Sequence, residues 1–174
     1  MLIRFERPTD VDTIREIHRA AFPSPAEAEL VDKLREARLA KVSIVADADG
    51  ELLGHALFSP VTLVGARRPA KGLGLGTVAV RPERQKQGVG TRLIETGIAQ
   101  SRRAGYDFVV VLGAPAYYRR FGFRQASRFG LLNEYGADEE FLALELSTQS
   151  LAGVGGRVQY AGEFGALQRR QGAA

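Results

Sequence analysis

The segment from Val78 to Thr91, Val-Ala-Val-Arg-Pro-Glu-Arg-Gln-Lys-Gln-Gly-Val-Gly-Thr, constrains this chain more than any other. A strand pattern running from Leu73 to Val80 stops at Arg81-Pro82, because proline donates nothing to a sheet ladder. A tight turn follows, and a helix opens near Gly88 or Val89 with glycines at 88 and 90. The first N–H groups of a helix have no partner within it and point outward at the positive end of its dipole, and glycine lets an anion come close to the main chain. Arg84 and Lys86 add positive charge. Two glycines before an amphipathic helix are also compatible with an ordinary turn, so the flanking residues must decide.

The helix after the turn places Val89, Leu93, Ile94 and Ile98 on one face and ends with Arg102 and Arg103 before Gly105, as the dipole and a glycine C-cap favour. Phe108 to Leu112 reads as a buried strand. The order strand, helix, strand over 73–112 implies a right-handed parallel crossover. Upstream, Val42 to Ala46 and Leu52 to Val64 flank a turn at Asp47 to Gly50 and form a hairpin, so the sheet is mixed. Residues 2–6 read as a strand. Thr9 or Asp10 is placed to cap a first helix carrying Val11, Ile14, Ile17 and Ala21, and Ser24-Pro25-Ala26-Glu27 opens a second with a Ser cap and Pro at the first helical position. A short helix is expected from Pro115 to about Arg120, and late strands at Phe141 to Leu146 and Arg157 to Tyr160.

At 174 residues the chain fits one domain, 1–174, with a core over about 2–146, a terminal strand region at 147–164 and a frayed tail at 165–174. Apolar residues at 45% and charged residues at 25% are ordinary globular values. With no signal-peptide pattern and no long apolar run, a cytoplasmic, membrane-free protein is expected. The chain has no cysteine, which excludes disulfides, thiolate metal sites and a cysteine acyl-enzyme. Residues 81–128 carry ten Lys or Arg against three acids, Glu83, Glu95 and Asp107, within a chain of net charge +4. That excess points to an anionic partner, or to a solvated basic face.

The turn and its approach resemble the acetyl-CoA signature of the GNAT superfamily of N-acetyltransferases: Gln or Arg, two variable residues, Gly, a variable residue, then Gly or Ala, after a strand ending like Val78-Ala79-Val80. Here the signature is Gln85-Lys86-Gln87-Gly88-Val89-Gly90. Ala116-Tyr117-Tyr118-Arg119-Arg120-Phe121-Gly122-Phe123 resembles the family's later motif, in which a tyrosine lies beside the cofactor's thioester; that position is Tyr118, with Tyr117 as its neighbour. The resemblance covers about residues 2–146. It departs at Gly113-Ala114-Pro115, where many relatives carry an Asn.

The resemblance implies an α/β fold, a mixed and mostly antiparallel twisted sheet with a central splayed parallel strand pair and flanking helices. It further implies that the pantetheine arm of acetyl-CoA pairs with the main chain near Val78, Ala79 and Val80, and that the pyrophosphate rests on Gln85, Lys86, Gln87, Gly88, Val89, Gly90 and Thr91. The expected reaction is direct transfer of an acetyl group to a primary amine in a ternary complex, with no metal. Tyr118 is the expected general acid for the departing thiolate, since a phenol with pKa of about 10 can protonate it. An alkylamine is almost wholly protonated near neutral pH, so a base is needed. Glu29 is the tentative base, with Glu27, His55 and His18 as further candidates. Glu27 is already explained by the helix start, and a lone histidine is more often structural than catalytic.

Two rival readings fit the residues less well. Gly74-Leu75-Gly76-Thr77-Val78-Ala79 fits a dinucleotide fingerprint in spacing but runs into Val80-Arg81-Pro82 instead of opening a helix. A nucleic-acid module would explain the basic segment, yet the basic residues lack interleaved aromatics apart from Tyr117 and Tyr118, so no nucleic acid is expected. A GNAT fold acting as a non-catalytic acyl-CoA sensor, or carrying another acyl group, stays open. The acceptor is unread: loops near 22–40, 65–72 and 125–140, with Arg128, Glu134 and Tyr135, are where its pocket would form. Edge strands and the C-terminal segment offer a surface for a homodimer.

Overall fold

The strand expected before Arg81-Pro82 forms as β4 (Gly72–Val80) and stops there. A computed structural model describes residues 1–165; the residues of the expected tail from 166 to 174 lie outside the described ones. Around β4 the strands β1 (Leu2–Phe5), β2 (Val42–Ala48), β3 (Glu51–Val64), β5 (Phe108–Leu112), β6 (Arg124–Gln125) and β8 (Phe141–Glu145) are hydrogen-bonded in the order β1-β2-β3-β4-β5-β8-β6. This is a mixed, mostly antiparallel sheet in which β4 and β5 are parallel. Helices α1 (Val11–Ala21), α2 (Ala26–Glu36), α3 (Val89–Arg103) and the short α4 (Pro115–Tyr118) accompany it. The chain divides into two compact units: Met1–Ser59 with Gly76–Gly97 and the stretch from Gly162, and Pro60–Leu75 with Ile98–Ala161.

In the first unit, the β2–β3 hairpin pairs Val42 with Phe58 and closes at Ala48 and Glu51. Asp49 and Gly50 take φ of +55 and +93, and Gly50 N–H donates to Asp47 Oδ1 at 2.8 Å, which is the turn that an Asp-Gly pair favours. β1 lies antiparallel against β2. α1 buries Ile14, Ile17 and His18, and α2 buries Ala26, Ala28, Leu30, Val31 and Leu34, as their periodicity requires.

The helix starts differ from the sequence expectation. Asp10 makes no side-chain cap on α1; a 3-10 turn at Pro8–Asp10 precedes the helix, and the Asp10 carboxylate instead accepts from Arg7 N–H at 2.6 Å and Arg4 Nη1 at 2.7 Å. A charged guanidinium outcompetes a helix amide for the carboxylate. At α2, Ser24 Oγ accepts from Ala26 N–H and donates to Glu27 Oε2, both at 3.3 Å, so serine and glutamate bond to each other rather than reciprocally to the main chain.

In the second unit, β4 and β5 share three parallel pairs, Gly72–Phe108, Leu73–Val109 and Gly74–Val110. The rest of β4 has no place in that ladder. β5 continues antiparallel to β8 over five pairs, and β6 joins β8. The stretch expected to be a loop, 125–140, holds β7 (Leu131–Asn133), which pairs in parallel with β9 (Gly156–Gln159); β9 also lies antiparallel to the end of β3 at Thr62–Val64. Three residues without alternating polarity carry no strand signal of their own, and their partner lies over twenty residues away. The last turn of α3 is tied down by Arg102, whose Nε donates to the Leu146 carbonyl at 2.6 Å.

Candidate functional site

The turn after β4 is held by its own side chains. Arg81 N–H donates to the Leu53 carbonyl at 2.9 Å, and Arg81 Nε to the Leu52 carbonyl at 2.7 Å, which pins the end of β4 to β3. Gln85 Nε2 reaches back to the Val80 carbonyl at 3.2 Å, and Gln87 Nε2 to the Glu83 carbonyl at 3.0 Å. Lys86 and Gly88 both adopt left-handed backbone, φ +59 and +83. Alternation of this kind turns successive N–H groups toward one side and makes a concavity for an anion. Arg92 N–H donates to the Gly88 carbonyl at 3.1 Å, so the ladder of α3 opens at Gly88. Val89, Leu93, Ile94 and Ile98 are buried, which anchors the helix and leaves its amino end facing outward.

A Cβ added to Gly88 meets nothing within 4 Å, so the space over this turn is open. Ala79 is buried while Val78 and Val80 are half-buried. Arg84 lies 3.3 Å from Glu51, an exposed pair that offsets part of its charge. Among the described residues no three His, Asp or Glu side chains are placed to hold a metal ion.

Tyr118 closes α4 in the second unit. Its ring packs edge-on against Tyr117 at 5.1 Å and Phe123 at 5.7 Å between centroids. Burial, with Tyr117 beside it, pushes its phenol up to about 12, so the group stays protonated and able to donate. A Cβ at Gly113 would lie 2.4 Å from Tyr118 Cε2; glycine there, where the sequence departs from the family pattern, is what lets the tyrosine ring fold over the end of β5. Tyr117 is exposed, with the Arg120 guanidinium 4.0 Å from its ring centre.

Of the base candidates, Glu29 lies on the exposed side of α2 and Glu27 is bonded to Ser24. The two histidines are brought together. His18 Nε2 and His55 Nδ1 are 2.9 Å apart, and both rings have no solvent exposure. His55 Nε2 lies 2.8 Å from Ser43 Oγ and 3.5 Å from Glu6 Oε2, while His18 Nδ1 lies 3.4 Å from Thr77 Oγ1. Burial, then His55 and Arg35, lower His18 to about 3, and burial also lowers His55 despite the raising effect of Glu6. Burial pushes the Glu6 carboxyl up, but hydrogen bonds from His55, Arg35 and Ser43 outweigh it and hold the group well below its ordinary range. Sequence reasoning missed Glu6, Ser43 and Thr77, which carry no motif and meet only through the fold.

The second unit holds a cleft of about 550 Å³ lined by residues of the β3 end and the 65–72 loop, with Arg68, Lys71 and Tyr106 on its wall. A smaller hollow of about 440 Å³ is bordered by Arg119, Arg124 and Arg128. Glu134 accepts from Tyr135 Oη at 2.5 Å and from Tyr160 N–H at 3.1 Å, which binds that loop to β9's end.

These features coincide with a known family. The acetyltransferase (GNAT) domain family matches residues 3–126. The chain belongs to the GNAT acetyltransferase family. The uncharacterized N-acetyltransferase YhbS of Escherichia coli K12 is 37% identical over 166 residues, 94% of this chain and 98% of that protein. A crystal structure of the E. coli YhbS protein in complex with CoA superimposes with a TM-score of 0.89 at 36% identity, covering 94% of this chain and 91% of that one. A GNAT family acetyltransferase from Brucella melitensis, solved in complex with acetyl-CoA, gives a TM-score of 0.77 at 39% identity, covering 94% and 97%. The two glycines of the turn thus lie inside the family match. Among the described residues no helix of this GNAT protein is long and apolar enough to cross a membrane.

Proposed function

We propose that this GNAT protein binds acetyl-CoA and transfers its acetyl group to a primary amine in a ternary complex. The observation that carries the reading is the turn from Gln85 to Gly90, whose left-handed Lys86 and Gly88 and outward helix end form an anion cradle where the family signature stands. Relatives solved with CoA and acetyl-CoA at 36% and 39% identity support the same donor. In this reading the pyrophosphate rests on main-chain N–H groups of Gln87 to Thr91, with Gln85, Lys86 and Gly88 shaping the turn. The pantetheine arm pairs with β4 near Val78, Ala79 and Val80, beyond the three residue pairs that β4 gives to β5.

With no cysteine in the chain, the amine attacks the thioester carbonyl directly. The new N–C bond forms, the C–S bond breaks with its electron pair on sulfur, and the thiolate takes the Tyr118 proton. The raised pKa of Tyr118 keeps that proton available across the neutral range. Glu29, exposed on α2, and the buried His18 and His55 are the residues from which the base for the amine is drawn. A non-catalytic sensor of the same fold would bind acetyl-CoA and stop there.

Incubation with acetyl-CoA and a panel of primary amines, reading free thiol and the acetylated product by mass, tests the proposal. Amine-dependent thiol release supports it. A thermal shift by acetyl-CoA without thiol release from any amine would instead establish the sensor.

A further inference from the structure

A buried polar chain in the first unit runs in a single direction, and one charge sets that direction. Arg35 donates to the Glu6 carboxylate from Nε at 2.9 Å and from Nη2 at 3.1 Å, which keeps it ionised. An ionised carboxylate only accepts, so the Ser43 hydroxyl gives its proton to Glu6 at 2.6 Å. His55 Nε2, 2.8 Å from Ser43 Oγ, is then the donor of that pair, which leaves Nδ1 of the neutral ring as an acceptor. His18 Nε2, 2.9 Å from that nitrogen, donates to it, and His18 Nδ1 accepts. Thr77 Oγ1, 3.4 Å from His18 Nδ1, turns its own proton inward. The Thr77 hydroxyl is then left with its lone pairs as acceptors.

The two ends of this chain differ from its middle. His18 and His55 have no exposure, whereas Thr77 keeps 6% and the Glu6 side chain 17%. Thr77 precedes Val78 on the strand assigned to the acetyl donor. The groups that act on the histidines come from several elements: Glu6 beyond β1, Asp10 before α1, Phe22 stacked on His18 at 5.9 Å, Arg35 of α2, Ser43 of β2 and Thr77 of β4.

We propose that Thr77 and His18 together take the proton of the attacking amine, with His55, Ser43 and Glu6 as positioning residues that hold His18 in the tautomer able to accept it. This rests on the acetyl-transfer reading above. As the N–C bond forms, a proton of the amine nitrogen passes to Thr77 Oγ1 while the Thr77 proton passes to His18 Nδ1. Thr77 ends as the neutral hydroxyl it began as, and His18 ends as an imidazolium whose Nε2–H still donates to His55. Burial makes that charged ring short-lived, so it returns the proton to water through Thr77 as product leaves. The carboxylate of Glu6 stays ionised throughout.

The test compares wild type, Thr77→Val and Thr77→Ser, with spermidine, lysine and a short peptide bearing a free amino terminus as acceptors. Thiol release gives kcat/KM for the amine as a function of pH, and thermal unfolding confirms the fold of each variant. Valine is close in shape to threonine, and the expected result is a loss of about tenfold or more in kcat/KM for the amine near neutral pH with the KM for acetyl-CoA unchanged. The deficit narrows as pH rises, and Thr77→Ser restores most of the rate. Nitrogen NMR of the imidazole rings, which needs no acceptor, is expected to show both rings as neutral Nε2–H tautomers. A Thr77→Val enzyme as active as an active wild type overturns the relay and leaves acetyl transfer standing, and an Nδ1–H tautomer on either ring does the same. A wild type that binds acetyl-CoA and releases no thiol with any of the amines overturns the transfer reading and the relay together.

Discussion

Lys86 and Gly88 stand two residues apart in the left-handed region, at φ +59 and +83, with Gln87 between them tied to the Glu83 carbonyl. A lysine in that conformation is uncommon and carries a steric cost that glycine does not. The turn holds it because Gln85 and Gln87 bind back to the main chain on either side and Arg81 is pinned to β3.

Substitution at Gly88 separates backbone strain from charge. Gly88→Ala meets no neighbour within 4 Å but inherits φ +83, so a stability loss of about 1 kcal/mol is expected from strain alone. Gly88→Glu adds a negative charge where the pyrophosphate is proposed to rest. Calorimetric titration with acetyl-CoA is expected to show a modest loss for alanine and no measurable binding for glutamate. Equal affinity in the glutamate variant would remove the phosphate from this turn.

Tyr118→Phe removes the hydroxyl and keeps the ring packed between Tyr117 and Phe123. Turnover is expected to fall by about tenfold or more with acetyl-CoA affinity nearly unchanged. Because burial raises the phenol to about 12, wild-type activity should show no alkaline loss from Tyr118 ionisation through about pH 10, where a free phenol would be half ionised. Thiol-release kinetics in both proteins check the two statements.

The buried histidines make stability depend on pH in a defined window. His18 is lowered from its ordinary 6.5 to about 3 in the folded protein, so between those values the unfolded chain binds the extra proton. Stability is therefore complete above about pH 6.5 and falls on acidification, with a limiting slope of about 1.4 kcal/mol per pH unit for one such group. His55 is lowered too and acts in the same sense. Glu6 adds its own loss only as pH drops below its ordinary 4.5. Urea unfolding at several pH values between 5 and 8 measures this, and a flat profile would contradict a neutral buried pair.

Gly97, within α3, sets helix propensity against packing. In a helix interior alanine is favoured over glycine by about 1 kcal/mol. A Cβ at this site would lie 2.2 Å from Cε2 of the fully buried Phe58, and overpacking of that kind costs about 1 to 3 kcal/mol. Gly97→Ala is expected to lower the denaturation midpoint, and adding Phe58→Leu should recover part of the loss. A stabilised single variant would show that propensity prevails.

Elements with a local cause were legible before the fold was known. The strand ending at Arg81-Pro82, the Asp49-Gly50 turn and the apolar face of Val89, Leu93, Ile94 and Ile98 each depend on residues within one turn or one strand. The helix caps were less legible, because Arg4 and Arg7 reach Asp10 and change which group its carboxylate serves. β6 and β7 were not, since two or three residues take strand form only when a partner is supplied from elsewhere.

By itself the sequence determined the family, through the Gln85 to Gly90 turn and the motif around Tyr118, because a tight turn and a helix end are short-range objects whose chemistry is written in consecutive residues. Only the tertiary structure decided what the histidines are. His18 and His55 lie 37 positions apart, and Thr77 a further 22 from His55; each alone reads as an ordinary core or strand residue. Folding takes their rings out of water, and a buried ring must find its hydrogen bonds within the protein. That requirement, with Glu6 held ionised by Arg35 at the far end, turns scattered polar residues into one directed chain.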